Sequence, residues 1–396
     1  MKVFNKSFTQ QEPIPQKGID AALEVMKSGR LHRYNTLPGE KGEVDLLELE
    51  FAEYLGVPYC LACASGGYAI HIAMRAAGLQ PGDKVLSNAF TLAPVPGAIH
   101  NSGGEPVFVD VTDDYCIDLD DLELKARESG AKFLLLSHMR GHLADMDRII
   151  AICNQYDLFL IEDCAHTMGA SWNGVKSGTF GDVACFSAQT YKHINSGEGG
   201  LLTTKHADVM AKAVMYSGSY MLFANHHKAP PVEAFDDARY ETPNYSGRMD
   251  NLRAAILRPQ LADLETQCKR WNERYDAVND IIANCSSIHL PNRPEAEVFV
   301  GSSIQFSLPT FTPEQITKVI AVCEERGVML KWFGNAVPMG YTSRYDSWKY
   351  IKDMPSLPTT EAILATLLDM RIPLTFTLED CQLIANIIVD VVEECF

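Results

Sequence analysis

Apolar positions along the 396-residue chain fall into two regimes. In the first, short apolar runs of strand length recur at Tyr59–Cys63, Lys84–Leu86, Val107–Val109, Phe133–Leu136, Leu158–Ile161, Val183–Phe186 and Leu201–Thr203. Segments of helix length lie between the earlier runs, among them Ala69–Ala77 and Met146–Tyr156. This alternation predicts an α/β fold whose sheet is mostly parallel, seven-stranded and covered by helices on both faces. Sheets of that kind bind ligands at the carboxyl ends of their strands.

The flanks read differently. Residues 1–35 form a polar arm with one amphipathic helix, in which Ile19, Leu23 and Met26 sit at helical spacing and Gly29 is the stop. A second helix runs through Leu46, Leu47, Phe51 and Tyr54. After about residue 225 the rhythm changes. Arg248–Tyr275 reads as one long helix, with Leu252, Ile256, Leu261 and Leu264 partly periodic and Pro259 expected to kink or split it. Strands are expected within 297–309 and 327–333, with the helix Pro313–Arg326 between them and an apolar helix, Leu378–Val392, closing the chain. The division expected is an arm plus large domain over 1–255 and a smaller α/β domain over 256–396, with no internal repeat.

Composition narrows the class. Hydrophobic residues are 46% and charged residues 21% of the chain, enough to bury a large core. No apolar run reaches the roughly 18 residues of a membrane span. Met1–Pro15 shows no apolar h-region, so no secretory signal is expected. The eleven cysteines are scattered and odd in number, which reads as reduced thiols in the cytoplasm. The lone pair Cys60 and Cys63 reads as two small apolar residues of a buried strand. A formal net charge of −17 argues against nucleic acid or an anionic membrane as partner. It does not exclude an anionic small molecule, because a few local arginines override the global field.

Three constellations carry candidate chemistry. In Ser65-Gly66-Gly67-Tyr68 a strand gives way to a helix start, where free N–H groups and the positive dipole end suit a phosphate; the plain alternative is a turn capped by Ser65. In Ile161-Glu162-Asp163 an apolar strand ends in a carboxylate facing the expected site. In Ser187-Ala188-Gln189-Thr190-Tyr191-Lys192 one lysine sits between a strand and a Gly-rich turn, Gly197-Glu198-Gly199-Gly200. An exposed loop lysine is the commoner case, but one desolvated among small residues loses its proton and forms a Schiff base.

The order and spacing of these three features resemble the fold-type-I pyridoxal-phosphate enzymes, in particular the DegT/DnrJ/EryC1/StrS sugar aminotransferase family. Further matches are Phe51-Ala52-Glu53-Tyr54-Leu55-Gly56, Pro106-Val107-Phe108-Val109-Asp110-Val111 and Gly178-Thr179-Phe180-Gly181-Asp182. The resemblance implies pyridoxal 5′-phosphate as cofactor and Lys192 as the catalytic residue that binds it covalently and shuttles protons. It implies Asp163 at the pyridine nitrogen, Phe90 against the ring face, His166 near the ring oxygen, and Ser65, Gly66, Gly67 and Ser187 around the phosphate. Family members that catalyse dehydration typically carry histidine in place of the lysine, so Lys192 points to transamination, with glutamate the usual donor.

Departures from the family pattern bear on substrate. Arg140 in His138-Met139-Arg140-Gly141, Arg33 in the basic, aromatic stretch Arg30–Asn35, and Lys331 in Lys331-Trp332-Phe333-Gly334 are extra cations, read as candidate contacts to a substrate carboxylate. The segment that in the family reaches the neighbouring subunit's phosphate has Ser246 at its usual asparagine position, with Asn244 a possible substitute. This variant resembles the 8-amino-3,8-dideoxy-manno-octulosonate aminotransferases, which act at C8 of an oxidised, carboxylate-bearing sugar in lipopolysaccharide synthesis. The alternatives are an enzyme acting on a nucleotide-linked 3- or 4-ketohexose and a non-catalytic cofactor-binding regulator. A homodimer with active sites at the interface is expected. A metal site at His138 and His142 is disfavoured, because the family places a strand end and loop there and not a helix.

Overall fold

The computed structural model describes residues 2–395. Its central sheet has seven strands: β1 Tyr59–Cys63, β2 Lys84–Asn88, β3 Glu105–Val109, β4 Phe133–Ser137, β5 Phe159–Asp163, β6 Val183–Ser187 and β7 Gly200–Thr204. Their spatial order is β1-β7-β6-β5-β4-β2-β3. Only β7 runs against its neighbours, pairing antiparallel with β1 and β6; the other pairs are parallel.

The apolar runs are nearly continuous because both faces of the sheet are buried. Side chains alternate between faces along a strand. Leu134, Leu136, Leu160, Ala184 and Phe186 thus join one core cluster, with residues of the helices Glu43–Leu55 and Met146–Tyr156. Phe133, Leu135, Ile161, Val183 and Cys185 join the other, under the helices Gly66–Ala76 and Ala207–Ser217. Cys60 and Cys63 are buried in β1, and burial pushes both thiols up, as for small core residues.

A second antiparallel sheet lies toward the C-terminus: β8 Ser303–Ser307, β9 Lys331–Trp332 and β10 Leu367–Arg371, ordered β8-β10-β9. It packs with the helices Leu264–Ile282, Pro313–Glu325 and Leu378–Cys395 into a separate core cluster. The N-terminal arm is part of that core. Phe4 and Phe8 stack edge-on to Phe376 at 4.9 and 5.0 Å.

Three details depart from the sequence pattern. The arm helix, Gln16–Ser28, ends at left-handed Gly29 as expected, but it buries Gly18, Ala22 and Val25 and leaves Ile19, Leu23 and Met26 exposed. Small residues win the inner face because the helix packs closely on its neighbour: a Cβ at Gly18 would lie 3.3 Å from the Ile256 carbonyl oxygen. The long helix is two helices, Asn251–Ala262 and Leu264–Ile282, parted at Asp263, four residues beyond Pro259; the first starts where Asp250 caps it by accepting from Arg253 N–H. Finally, the central strand of the small sheet, β10, has no counterpart among the expected strands. No helix among the described residues is long and apolar enough to cross a membrane.

Candidate active site

The carboxyl ends of β1, β4, β5 and β6 open on a cavity of about 860 Å³. At its rim Ser65, in extended conformation, caps the helix Gly66–Ala76 by accepting from Tyr68 N–H at 3.1 Å. The helix start is pressed onto the β6–β7 hairpin. A Cβ on Gly66 would lie 2.9 Å from Ser187 Cβ, and one on Gly200 would lie 2.3 Å from the Ser65 carbonyl. Gly67 has only Pro94 within 4 Å of such a Cβ, so its lack of a side chain leaves the cavity side open. The first N–H groups of a helix have no partner within it. Together with the Ser187 hydroxyl they form a cradle suited to a phosphate. The Gly197–Gly200 turn instead closes the hairpin, with Thr190 N–H donating to Gly197 O.

Asp163 ends β5 in register with Ser137 of β4. One of its carboxylate oxygens accepts from Ser137 Oγ at 2.9 Å and the other from Ala165 N–H at 3.2 Å. Thr91 Oγ1 donates to Ser137 Oγ in turn at 2.8 Å. The carboxylate is thus buried, oriented and still bordering the cavity.

Lys192 follows β6 on a turn fixed by its own N–H donating to Gln189 O. Its stem is surrounded by protein, while Nζ opens on the cavity, 2.8 Å from His166 Nε2. Burial first, then the charges of Arg140 and Arg371, lower the Lys192 pKa to about 7 against the opposing pull of Asp163. Burial also holds His166 well below its usual value, followed by Lys192 and the two arginines. A neutral imidazole keeps one acceptor nitrogen, which suits it to hold the amine in place.

Seven of the expected cofactor contacts meet here: Ser65, Gly66, Gly67, Asp163, His166, Ser187 and Lys192 all line the cavity. Phe90 does not. Its ring is buried edge-on to Phe333 at 5.0 Å, beside Tyr115, so it belongs to the core; Leu92, two residues on, borders the cavity. Asn244 and Ser246 also lie outside the lining, on an exposed segment where Asn244 Oδ1 accepts from Tyr220 N–H; Tyr245 between them faces in.

The expected cations divide three ways. Arg140 lines the cavity, held in a left-handed backbone conformation (φ 57°), and is paired with Asp369 at 2.5 Å. Lys331 sits in β9 opposite Asp369 and outside the lining. Arg33 lies elsewhere, contrary to the substrate-contact expectation. It is 2% exposed and grips Glu48 with two bonds of 2.8 and 3.0 Å and Asp45 with one of 3.3 Å. Glu48 also accepts from Ala62 N–H of β1, so the cluster ties the helix Glu43–Leu55 to the sheet. Removing one partner of a buried ion pair strands the other charge. Arg33→Gln is therefore expected to cost about 3–5 kcal/mol of stability, read as a lower denaturation midpoint, with KM for both substrates within about twofold of wild type. An unchanged midpoint with a raised KM would return Arg33 to the site.

Arg371, at the end of β10 and outside the expected site residues, also lines the cavity. The two histidines weighed as metal ligands part company: His138 Nε2 lies 3.1 Å from Glu162, and His142 Nε2 lies 2.7 Å from Gln305. His138, Glu162 and Cys164 come together in the core, their ligand-type atoms within 4.8 Å of one another. The Glu162 oxygens also accept from the N–H groups of Gly178, Phe180 and Gly181, which makes this carboxylate the anchor of that loop.

Comparison with known proteins gives one family. A model of the DegT/DnrJ/EryC1/StrS aminotransferase family matches residues 14–389. A GDP-perosamine synthase of Caulobacter vibrioides is 36% identical over 215 residues, 54% of this chain and 55% of that one. A protein of Geobacillus stearothermophilus named pleiotropic regulatory protein is 31% identical over 275 residues, 68% of this chain and 66% of that one. The chain thus aligns with between half and two thirds of the length of these curated relatives. Among solved structures, the PLP form of the putative sugar aminotransferase Spr1654 from Streptococcus pneumoniae superposes with a TM-score of 0.82 at 20% identity, over 99% of this chain and 100% of that one. At that identity the likeness is one of fold.

Proposed function

The chain belongs to the DegT/DnrJ/EryC1/StrS aminotransferase family, and from that premise we propose that it transfers an amino group from an amino acid, glutamate first among them, to an oxidised sugar. One observation carries the reading. Lys192 Nζ, its pKa lowered to about 7, borders the same cavity as a buried, oriented carboxylate and an open helix N-terminus. Pyridoxal 5′-phosphate is the cofactor, and when bound it supplies an electron sink for the carbon that exchanges its proton.

The fit is steric as well as chemical. The helix start that a Cβ on Gly66 or Gly200 would displace is the part that would hold the phosphate, together with Ser187. Asp163 would keep a proton at the pyridine nitrogen. An ion pair at about 4 Å is worth roughly 4 kcal/mol at an effective dielectric near 20. Lys192 Nζ would hold the cofactor through its carbonyl carbon, with water leaving, and, once the substrate's amine has displaced it, would carry the proton between the nitrogen-bearing substrate carbon and that cofactor carbon; His166 would orient the amine. A base whose pKa lies near the operating pH is suited to both directions of that transfer. Asn244 and Ser246 lie on an exposed segment outside the lining of their own cavity, which is compatible with a homodimer in which this segment completes the partner's site.

For the acceptor, the reading is an oxidised octulosonate aminated at C8, for lipopolysaccharide synthesis in the cytoplasm. Its carboxylate suits a cavity wall that carries Arg140 and Arg371. The second reading, a nucleotide-linked 3- or 4-ketohexose, is favoured by the likeness to a GDP-perosamine synthase. The likeness to a protein named as a regulator keeps a non-catalytic role as the third; Lys192 in a titratable, accessible position speaks for turnover. A coupled transamination screen separates them, with glutamate as donor and oxidised octulosonate set against nucleotide-linked ketosugars. Amination of the octulosonate is the expected result. Turnover of nucleotide sugars alone would replace the acceptor, and a cofactor-loaded protein that aminates nothing would leave the regulator.

A further inference from the structure

Asp369 and Arg371 stand two residues apart on β10 and so project from the same face. Yet they do not pair. The Asp369 carboxylate is taken by three other donors: Arg140 Nη2 at 2.5 Å, Tyr341 Oη at 2.5 Å and Gln305 Nε2 at 2.7 Å. Arg371 is left with no side-chain hydrogen bond or ion pair among the described residues, and its Nε is buried without a partner. Two aromatic faces hold it: the guanidinium lies 3.6 Å from the Tyr191 ring centre and 5.0 Å from that of Tyr341. Arg140, 4.6 Å from the same Tyr341 ring, likewise has a buried Nε without a partner.

A cation with a buried donor that has no partner normally has an anion beside it. Here Asp369, its neighbour on the strand, is engaged as above, and Asp163, which borders the same cavity, is held by Ser137 and Ala165. The two tyrosine rings flank the Arg371 guanidinium, and no side chain among the described residues takes its donors. A planar, two-oxygen anion matches those donors. We propose that Arg371, backed by Arg140, is a carboxylate-binding subsite on the inner wall of the cavity, beside Lys192, and selects substrates that carry a carboxylate. The inference rests on the aminotransferase reading above. The carboxylate comes from the amino-acid donor, from an acidic sugar, or from each in turn, since the two half-reactions use one cavity.

The test uses the cofactor-loaded enzyme and its Arg371→Gln and Arg371→Lys variants. Each half-reaction is followed separately by the cofactor's absorbance, with L-glutamate in one arm and oxidised octulosonate in the other. Calorimetric binding of 2-oxoglutarate and of unoxidised 3-deoxy-manno-octulosonate runs in parallel. Arg371→Gln is expected to weaken binding in at least one arm by roughly ten- to a hundredfold, the scale of a charge-assisted hydrogen bond, with a smaller effect on the maximal rate and partial recovery in Arg371→Lys. An unchanged cofactor spectrum shows that the cavity is intact. Loss with glutamate alone assigns the donor carboxylate, loss with octulosonate alone assigns the sugar's, and loss in both assigns a shared subsite. Binding within twofold of wild type in both arms overturns the proposal. If the wild-type enzyme ignores octulosonate, the acceptor reading falls, and the glutamate and 2-oxoglutarate arms alone decide Arg371.

Discussion

Lys192→Ala is expected to lower turnover by at least about 10⁴-fold, the scale seen when a residue central to covalent catalysis is removed, and to abolish the visible absorbance of covalently held cofactor. The effect should be this large because Lys192 has two jobs. In the proposed function it is the covalent attachment point, and it is the amine that would move a proton at the substrate carbon. The neighbouring groups cannot take over. His166 is neutral and its Nε2 is turned to Lys192. His193, next in the chain, is buried with Nδ1 2.8 Å from Met168 O and Nε2 3.1 Å from Ser302 Oγ. The phosphate cradle does not involve Lys192, so the variant should still bind the cofactor non-covalently and keep its thermal midpoint. Turnover above about a hundredth of wild type in Lys192→Ala would remove Lys192 from the mechanism.

Asp163→Asn should have the next largest effect, a fall in turnover of about 10³-fold. That figure follows from losing an ion pair worth roughly 4 kcal/mol. The substitution is nearly isosteric. Its side-chain oxygen can still accept from Ala165 N–H, and the Ser137 hydroxyl can rotate to accept from the new amide, so the fold should survive. What is lost is the fixed negative charge that would hold a proton on the pyridine nitrogen. Two measurements check this: steady-state kinetics, and the pH at which the bound cofactor's spectrum changes, which should move downward as the ring proton becomes easier to lose. A variant retaining more than half of the wild-type rate, with an unshifted spectrum, would show that Asp163 serves only to position Ser137.

Much of this is legible in the sequence, for physical reasons that differ by region. The seven strands stand out because both faces of the sheet are buried, so Leu134-Leu135-Leu136 reads as one apolar block although its residues serve two cores. Ser65, Asp163, Ser187 and Lys192 stand out because reactive or hinge-forming residues sit where apolar runs stop. The misses are long-range. Arg33 looks like a surface cation because its partner Glu48, fifteen residues away, is the kind of helix acid that normally faces water; only the approach of that helix to β1 buries the pair. Phe90 is a core residue of the turn after β2, and no periodicity distinguishes its position from that of Leu92. The strand β10 is hard to see because Asp369 and Arg371 break its apolar run. Two opposite charges at alternating positions, enclosed by Leu367, Leu368, Met370 and Ile372 just before Pro373, are the available signal that a buried strand carries polar groups toward a site.

The central claim, that Lys192 is the cofactor's attachment point, is tested most directly by reducing the loaded enzyme with borohydride and mapping its peptides by mass. The account predicts one pyridoxyl-modified peptide, the one containing Lys192, with the mass lost in Lys192→Ala. A modification on another lysine, or none in a protein that nevertheless holds the cofactor, would contradict it.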